Sequence, residues 1–262
     1  MNNTTLADSP SPRARTGQSI SHAFKWFVLG LMFFQAAVAN AQPNSNMVTE
    51  QMLSPKQQAL IPIAAFAAIG EIPQLNTALR RGLDAGLTVS QTKEVLVQMY
   101  AYAGFPRSLN ALGELMKVLA ERKQQGINDV AGEEPAPGPT GAELLSVGTA
   151  NQTELSGTPV KGPLFDFAPA IDFYLKAHLF GDIFSRDNLD WRSRELATVS
   201  ALAAMTGTEG QLQAHIRISM NVGLSEPQLR QVAVVLQKDV NLDAGQRAND
   251  ALDRHLVTVK KH

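Results

Sequence analysis

Residues 189–225 read LDWRSRELATVSALAAMTGTEGQLQAHIRISMNVGLS, and this stretch decides the fold. Its apolar spacing predicts one helix, a tight turn at TGTEG and a second helix, QLQAHIRISMN. The second helix stops at Gly223, the residue suited to the left-handed position just past a helix end. Arg192, Arg194 and Glu195 fall on the opening turns of the first helix. His215 follows Gln211 by four residues in the second, which places the two on one face.

The same pattern occurs earlier in the chain. Gln74-Leu75 matches Gln211-Leu212, Arg80 matches Arg217, and Gly86-Leu87 matches Gly223-Leu224, all at one offset (211 − 74 = 137). Ala67-Ala68 matches Ala203-Ala204 one residue out of phase. The chain is therefore a tandem pair of one helical unit. The copies differ where chemistry would sit: His215 corresponds to Ala78, and Glu94 corresponds to Gln231.

Outward from the hairpin, helix signals dominate. Ser54-Pro55 opens SPKQQALIPIAAFAAIG as N-cap and first helical residue, with Pro62 placed to bend it. PQLNTALRRGLDAG ends at Gly86, Thr88 caps the segment carrying Val95, Leu96, Met99 and Tyr102, and Gly104 and Pro106 break that segment. In the following helix the expected apolar stripe is Leu109, Leu112, Leu115, Met116 and Leu119. Residues 123–163 are rich in Gly, Pro, Ser and Thr without sustained periodicity, and read as a linker or surface arm. FDFAPAIDFYLKAHLFGDIFSRD is read as largely helical with a break around Gly181, and Asp182 and Asp187-Asn188 as turn-shaping residues. Ser225 caps a helix burying Val232, Val235 and Leu236, and a last helix runs from about Ala244 to Leu256.

Composition narrows the function. With 262 residues and 44% hydrophobic content the chain has enough apolar material for a packed core. A formal net charge of −1 without a basic block gives no electrostatic case for nucleic acid. The chain has no cysteine, which removes disulfides, thiolate metal sites and cysteine nucleophiles. His178, His215 and His255 lack the paired spacing of a metal site, so no metal or other cofactor is expected. At the N-terminus, a polar basic leader, an apolar run of about 14 residues and Ala39-Asn40-Ala41 form a secretory signal pattern with cleavage after Ala41. The alternative is an uncleaved anchor. A cleaved signal implies a secreted or periplasmic protein with no membrane contact after processing.

RELATVSALAA, GQLQAHIRISMNVGLS and the earlier EVLVQMYAYAGFPRSLNAL resemble the carboxymuconolactone decarboxylase family, which includes the alkylhydroperoxidase D-like (AhpD-like) proteins. The resemblance covers roughly residues 50–122 and 165–256. It implies an all-α fold of two tandem AhpD-like helical bundles, organised as 1–41 signal peptide, 50–122 first repeat, 123–163 linker and 164–258 second repeat. Thiol members carry a Cys-x-x-Cys pair, a histidine four residues later and a glutamate about one helix upstream. On this chain the glutamate falls on Glu195, the histidine on His215 and the two cysteines on Thr208 and Gln211, with one residue inserted before the turn. Thiol peroxidase chemistry is thereby removed, and the acid and imidazole stay.

The function this implies is a cofactor-independent lyase acting on a small carboxylated lactone or ring compound. His215 would transfer the proton, because its ordinary pKa lies near working pH, and Glu195 would orient the ring. Arg194 or Arg217 would hold the substrate carboxylate through paired hydrogen bonds. Glu94, Tyr100 and Tyr102 would close the pocket from the first repeat, with His178 lining the cleft. Each has a plainer reading: His215 as a core histidine, Glu195 as a carboxylate at a helix start, the arginines as structural ion pairs, and one of the two tyrosines as packing. The alternative function is a non-catalytic small-molecule-binding or assembly protein. Single-unit relatives form rings, so a tandem chain is expected to form a homotrimer or other homo-oligomer.

Overall fold

The computed structural model describes residues 52–259, and within them every regular element is helical. The predicted export segment 1–41 lies outside the described residues.

The first repeat begins with α1 (Pro55–Ile69). Ser54 accepts from the Gln57 amide and the Gln57 side chain returns to the cap, a reciprocal box that fixes where the helix starts. Then follow α2 (Ile72–Asp84), α3 (Val89–Gln98), the short α4 (Tyr100–Ala103) and α5 (Phe105–Gln124). The second repeat's central helix is α9 (Trp191–Ala204), followed by α10 (Glu209–Asn221), α11 (Glu226–Asp239) and α12 (Leu242–Val259). The tandem relation is visible in the caps. Thr88 with Gln91 and Ser225 with Gln228 form the same capping box at the same offset. Gly86 and Gly223 adopt φ 91° and 92°, a conformation that favours glycine.

α1 and α9 pack against each other at the centre. Both are Ala-rich, and residues Ser193–Ala204 are buried throughout. Each repeat's core borrows from the other's central helix. Ile61 and Ala65 join the second repeat's cluster around Leu202, Val232 and Leu252, whereas Ala197 and Ala201 join the first repeat's cluster around Leu79, Leu96 and Leu115. The two repeats therefore bury one shared apolar interior, and residues from both converge on the site.

Three sequence expectations are corrected. The buried line of α5 is Ser108, Ala111, Leu115, Val118 and Arg122; of the predicted stripe, Leu115 is buried and Leu112 and Leu119 pack partly buried against the same core. Leu109 and Met116 are 61% and 72% exposed. The polar ends of the true stripe are satisfied: Ser108 donates to the Leu96 carbonyl, and Arg122 pairs with Asp129 and Asp84. Second, the Gly/Pro-rich region contains a helix, α6 (Glu143–Ser156). Third, after α7 (Pro163–Phe167) and α8 (Pro169–Phe173), the chain forms a π-helical segment, Tyr174–Ile183, which continues through Gly181 without a break. Gly181 serves packing instead. A Cβ there would lie 2.2 Å from the Leu144 carbonyl oxygen, and one at Gly148 would lie 1.7 Å from that of Lys176. α6 and the π-helical segment are thus pressed backbone to backbone.

Candidate active site

Asp190 caps α9, its carboxylate accepting from the Ser193 amide at 2.9 Å and the Ser193 hydroxyl at 2.8 Å. This start fixes the helix phase and carries Glu195 fully into the interior. From α10, His215 meets it, with Nδ1 2.8 Å from Glu195 Oε2. The carboxylate favours the tautomer with its proton on Nδ1, which leaves the Nε2 lone pair for chemistry. Tyr102, at the end of the first repeat's α4, sets its ring edge-on to the imidazole, with centroids 5.7 Å apart and planes at 78°. Burial and then the Glu195 charge push the Tyr102 phenol well above its ordinary value, against weaker opposing effects of Thr198 and Arg194, so the phenol stays neutral. Tyr102 Oη and Glu195 Oε1 are both buried without a hydrogen-bond partner.

One residue back along α9, Arg194 points elsewhere. It is fully buried and donates to Glu94 at 2.9 Å, Gln98 at 3.1 Å and the Arg186 carbonyl at 2.7 Å. Arg186 adds two bonds to Glu94, at 2.9 and 3.0 Å. Burial alone would raise the Glu94 pKa; the two guanidiniums outweigh it and hold the carboxyl below the ordinary value. Gln98 donates to Thr198 at 2.8 Å, extending the network along α9. Glu94 and Arg194 thus staple the repeats together; Arg194 is not free to grip a substrate carboxylate, and Glu94 is taken up by two guanidiniums rather than by a pocket. Arg217 lies on the exposed face of α10, where its charge lowers the pKa of His255, itself already lowered by burial. Gln211 is exposed although it shares a helix with the buried His215.

Tyr100 and His178 form a second group. Tyr100 Oη lies 2.7 Å from His178 Nε2, and His178 Nδ1 lies 3.1 Å from Asp182 Oδ2. Tyr100 stacks on Phe105 at 4.1 Å. Tyr100 and His178 line an open cavity of about 630 Å³. Asp182, read from sequence as a turn residue, belongs to this group because the π-helical segment carries it past Gly181 to the imidazole. Its only sequence signal is the four-residue spacing from His178. Arg186, Gln98 and Thr198 were equally invisible, since their partners lie about a hundred positions away. Among the described residues, no cluster of three or more His, Asp or Glu side chains is placed to hold a metal ion.

Comparison with known proteins adds two findings. The model of the carboxymuconolactone decarboxylase family matches residues 35–116 and 169–254, two regions in tandem. An uncharacterized protein of Methanocaldococcus jannaschii is similar, at 26% identity over 89 residues that cover 34% of this chain and 81% of that relative.

Proposed function

The chain belongs to the carboxymuconolactone decarboxylase family, and from that premise we propose that it is a cofactor-independent lyase acting on a small carboxylated lactone or ring compound, with His215 as the proton-transfer group and Glu195 as its orienting partner. The 2.8 Å contact between His215 Nδ1 and Glu195 Oε2 carries this reading. In the reaction, the carbon–carboxylate bond breaks, carbon dioxide leaves, and its electron pair delocalises into the ring carbonyl. His215, having taken up a proton from water on Nε2, then delivers it to carbon, while Glu195 stabilises the imidazolium before the transfer. In this reading the Tyr102 hydroxyl, kept neutral by burial, donates to the developing oxyanion.

A second reading is a small-molecule-binding protein without turnover. It is favoured by the placement of Arg194 in an internal ion network and of Arg217 on an exposed face. Decarboxylation of γ-carboxymuconolactone by the unaltered protein, beside His215→Ala and Glu195→Gln, separates the two. Turnover lost in both variants supports the lyase. Thermal stabilisation by the lactone without turnover supports the binding protein.

The proposal extends to location and assembly. The leader ending at Ala41 supports export to the periplasm or outside the cell. Phe105, Leu109 and Met116, on one side of α5, are 60%, 61% and 72% exposed, an apolar face suited to burial against another copy in a homotrimer. No helix among the described residues is long and apolar enough to cross a membrane.

A further inference from the structure

The cavity beside Tyr100 has a chemistry different from that of the His215 site. Its two walls are the start of α6, with Leu144 and Leu145, and the α8–π-helix region, with Phe173, Tyr174 and Ala177. The backbone contacts at Gly148 and Gly181 fix these walls against each other. At about 630 Å³ it falls within the size range of small-molecule sites. No lysine or arginine lines it, and the neighbouring Lys176 ammonium is held by Asp172 at 2.6 Å.

The polar feature of the wall is the Tyr100–His178 pair. Asp182, 3.1 Å from Nδ1, favours the tautomer with the proton on that nitrogen. His178 Nε2 is then an acceptor, and the Tyr100 hydroxyl donates to it at 2.7 Å. In that state Nε2 is occupied by the Tyr100 proton, and the pair offers the cavity the free lone pairs of Tyr100 Oη and no free proton. It accepts a hydrogen bond and has no cation to meet an anion. Stacking on Phe105 holds Tyr100 in place, so this polarity is built in before a ligand arrives.

We propose that this cavity is a second binding site, for a neutral hydroxylated ring compound of the phenol class, whose hydroxyl donates to the Tyr100–His178 pair while its ring packs on Phe173, Tyr174 and Leu145. The site is separate from the Glu195–His215 centre and takes a ligand of different charge. It stands whether or not the lyase reading holds.

The test is calorimetric titration of the purified protein with p-cresol, 4-methylanisole and p-toluate at neutral pH. These share a methylated ring and differ in carrying a hydroxyl donor, an ether without a donor, and an anion. The expected order has p-cresol tightest, ahead of 4-methylanisole by about fivefold, the factor that one net hydrogen bond makes. p-Toluate, an anion in a cavity whose lining carries no lysine or arginine, binds weakest. In Tyr100→Phe/His178→Leu the preference for p-cresol over 4-methylanisole disappears. In His215→Ala, p-cresol binds as in the unaltered protein. Equal binding of p-cresol and 4-methylanisole, tightest binding by p-toluate, or no binding of any of the three overturns the proposal. So does loss of p-cresol binding in a folded His215→Ala variant. The ligand series on the unaltered protein decides the matter even if the double variant does not fold.

Discussion

Replacing Glu94 by glutamine tests whether the buried charge network holds the two repeats together. Glu94 is 1% exposed and is the countercharge for Arg194, which is fully buried, and for Arg186. The glutamine keeps the shape and one acceptor but leaves the buried Arg194 guanidinium without its countercharge, beside Arg186. Breaking a buried pair on one side costs about 3–5 kcal/mol, and the retained acceptor puts this change at the lower end, about 3 kcal/mol. For a folded unit of this size each kcal/mol is worth about 2–4 °C, so the midpoint should fall by about 6–12 °C. Helical circular dichroism during heating at pH 7 measures it. The pH dependence follows from the sign of the shift. The folded Glu94 pKa lies below the ordinary 4.5, so its stabilisation is present above that pH and is lost as pH falls through the folded value. Unaltered protein should therefore lose stability more steeply than Glu94→Gln below about pH 4.5, the unperturbed glutamate value. A midpoint shift under about 2 °C at pH 7, too small for one uncompensated buried charge, would refute the reasoning.

Other predictions concern the site, the packing and the assembly. Tyr102→Phe removes a buried hydroxyl without a protein partner, so its thermal midpoint should be unchanged or higher, while decarboxylation falls at least about tenfold if that hydroxyl meets the oxyanion. Gly148→Ala places a Cβ against the Lys176 carbonyl and should destabilise by about 1–3 kcal/mol in urea unfolding. If the proposed homotrimer uses this face of α5, Phe105→Glu with Met116→Glu should give a smaller species than the unaltered protein in light scattering, without changing the helical spectrum.

The fold was legible where local chemistry and the repeat agreed. Ser54, Thr88 and Ser225 each announce a helix start, and the structure makes a capping box at all three. The central helices were legible from their alanine content and matched positions. α6 was hidden because ELLSVGTANQTELS packs through Gly148 rather than through a stripe of large apolar residues. Within α5, Leu109 and Met116 resemble stripe residues by their hydrophobicity alone, whereas the inward positions around Leu115 are completed by the small or polar Ser108, Ala111 and Arg122. At the site, resemblance brought Glu195 and His215 together, and the 2.8 Å contact follows it. Arg194, the residue just before Glu195, points to a different partner set, a turn of about 100° per residue that a motif match does not resolve. Its partner Glu94 lies in the other repeat, so only the packing of α9 against the first repeat reveals the pair. Asp182 was missed because a glycine inside a helix looks like a break, whereas here it is a contact point.

The most direct measurement is the rate of carbon dioxide release from γ-carboxymuconolactone by the purified protein, with His215→Ala and Glu195→Gln alongside and their folds checked by circular dichroism. The account predicts turnover by the unaltered protein, near-complete loss in His215→Ala, and a large reduction in Glu195→Gln. Turnover that survives in a folded His215→Ala variant, or none by the unaltered protein where an active decarboxylase releases carbon dioxide, would contradict it.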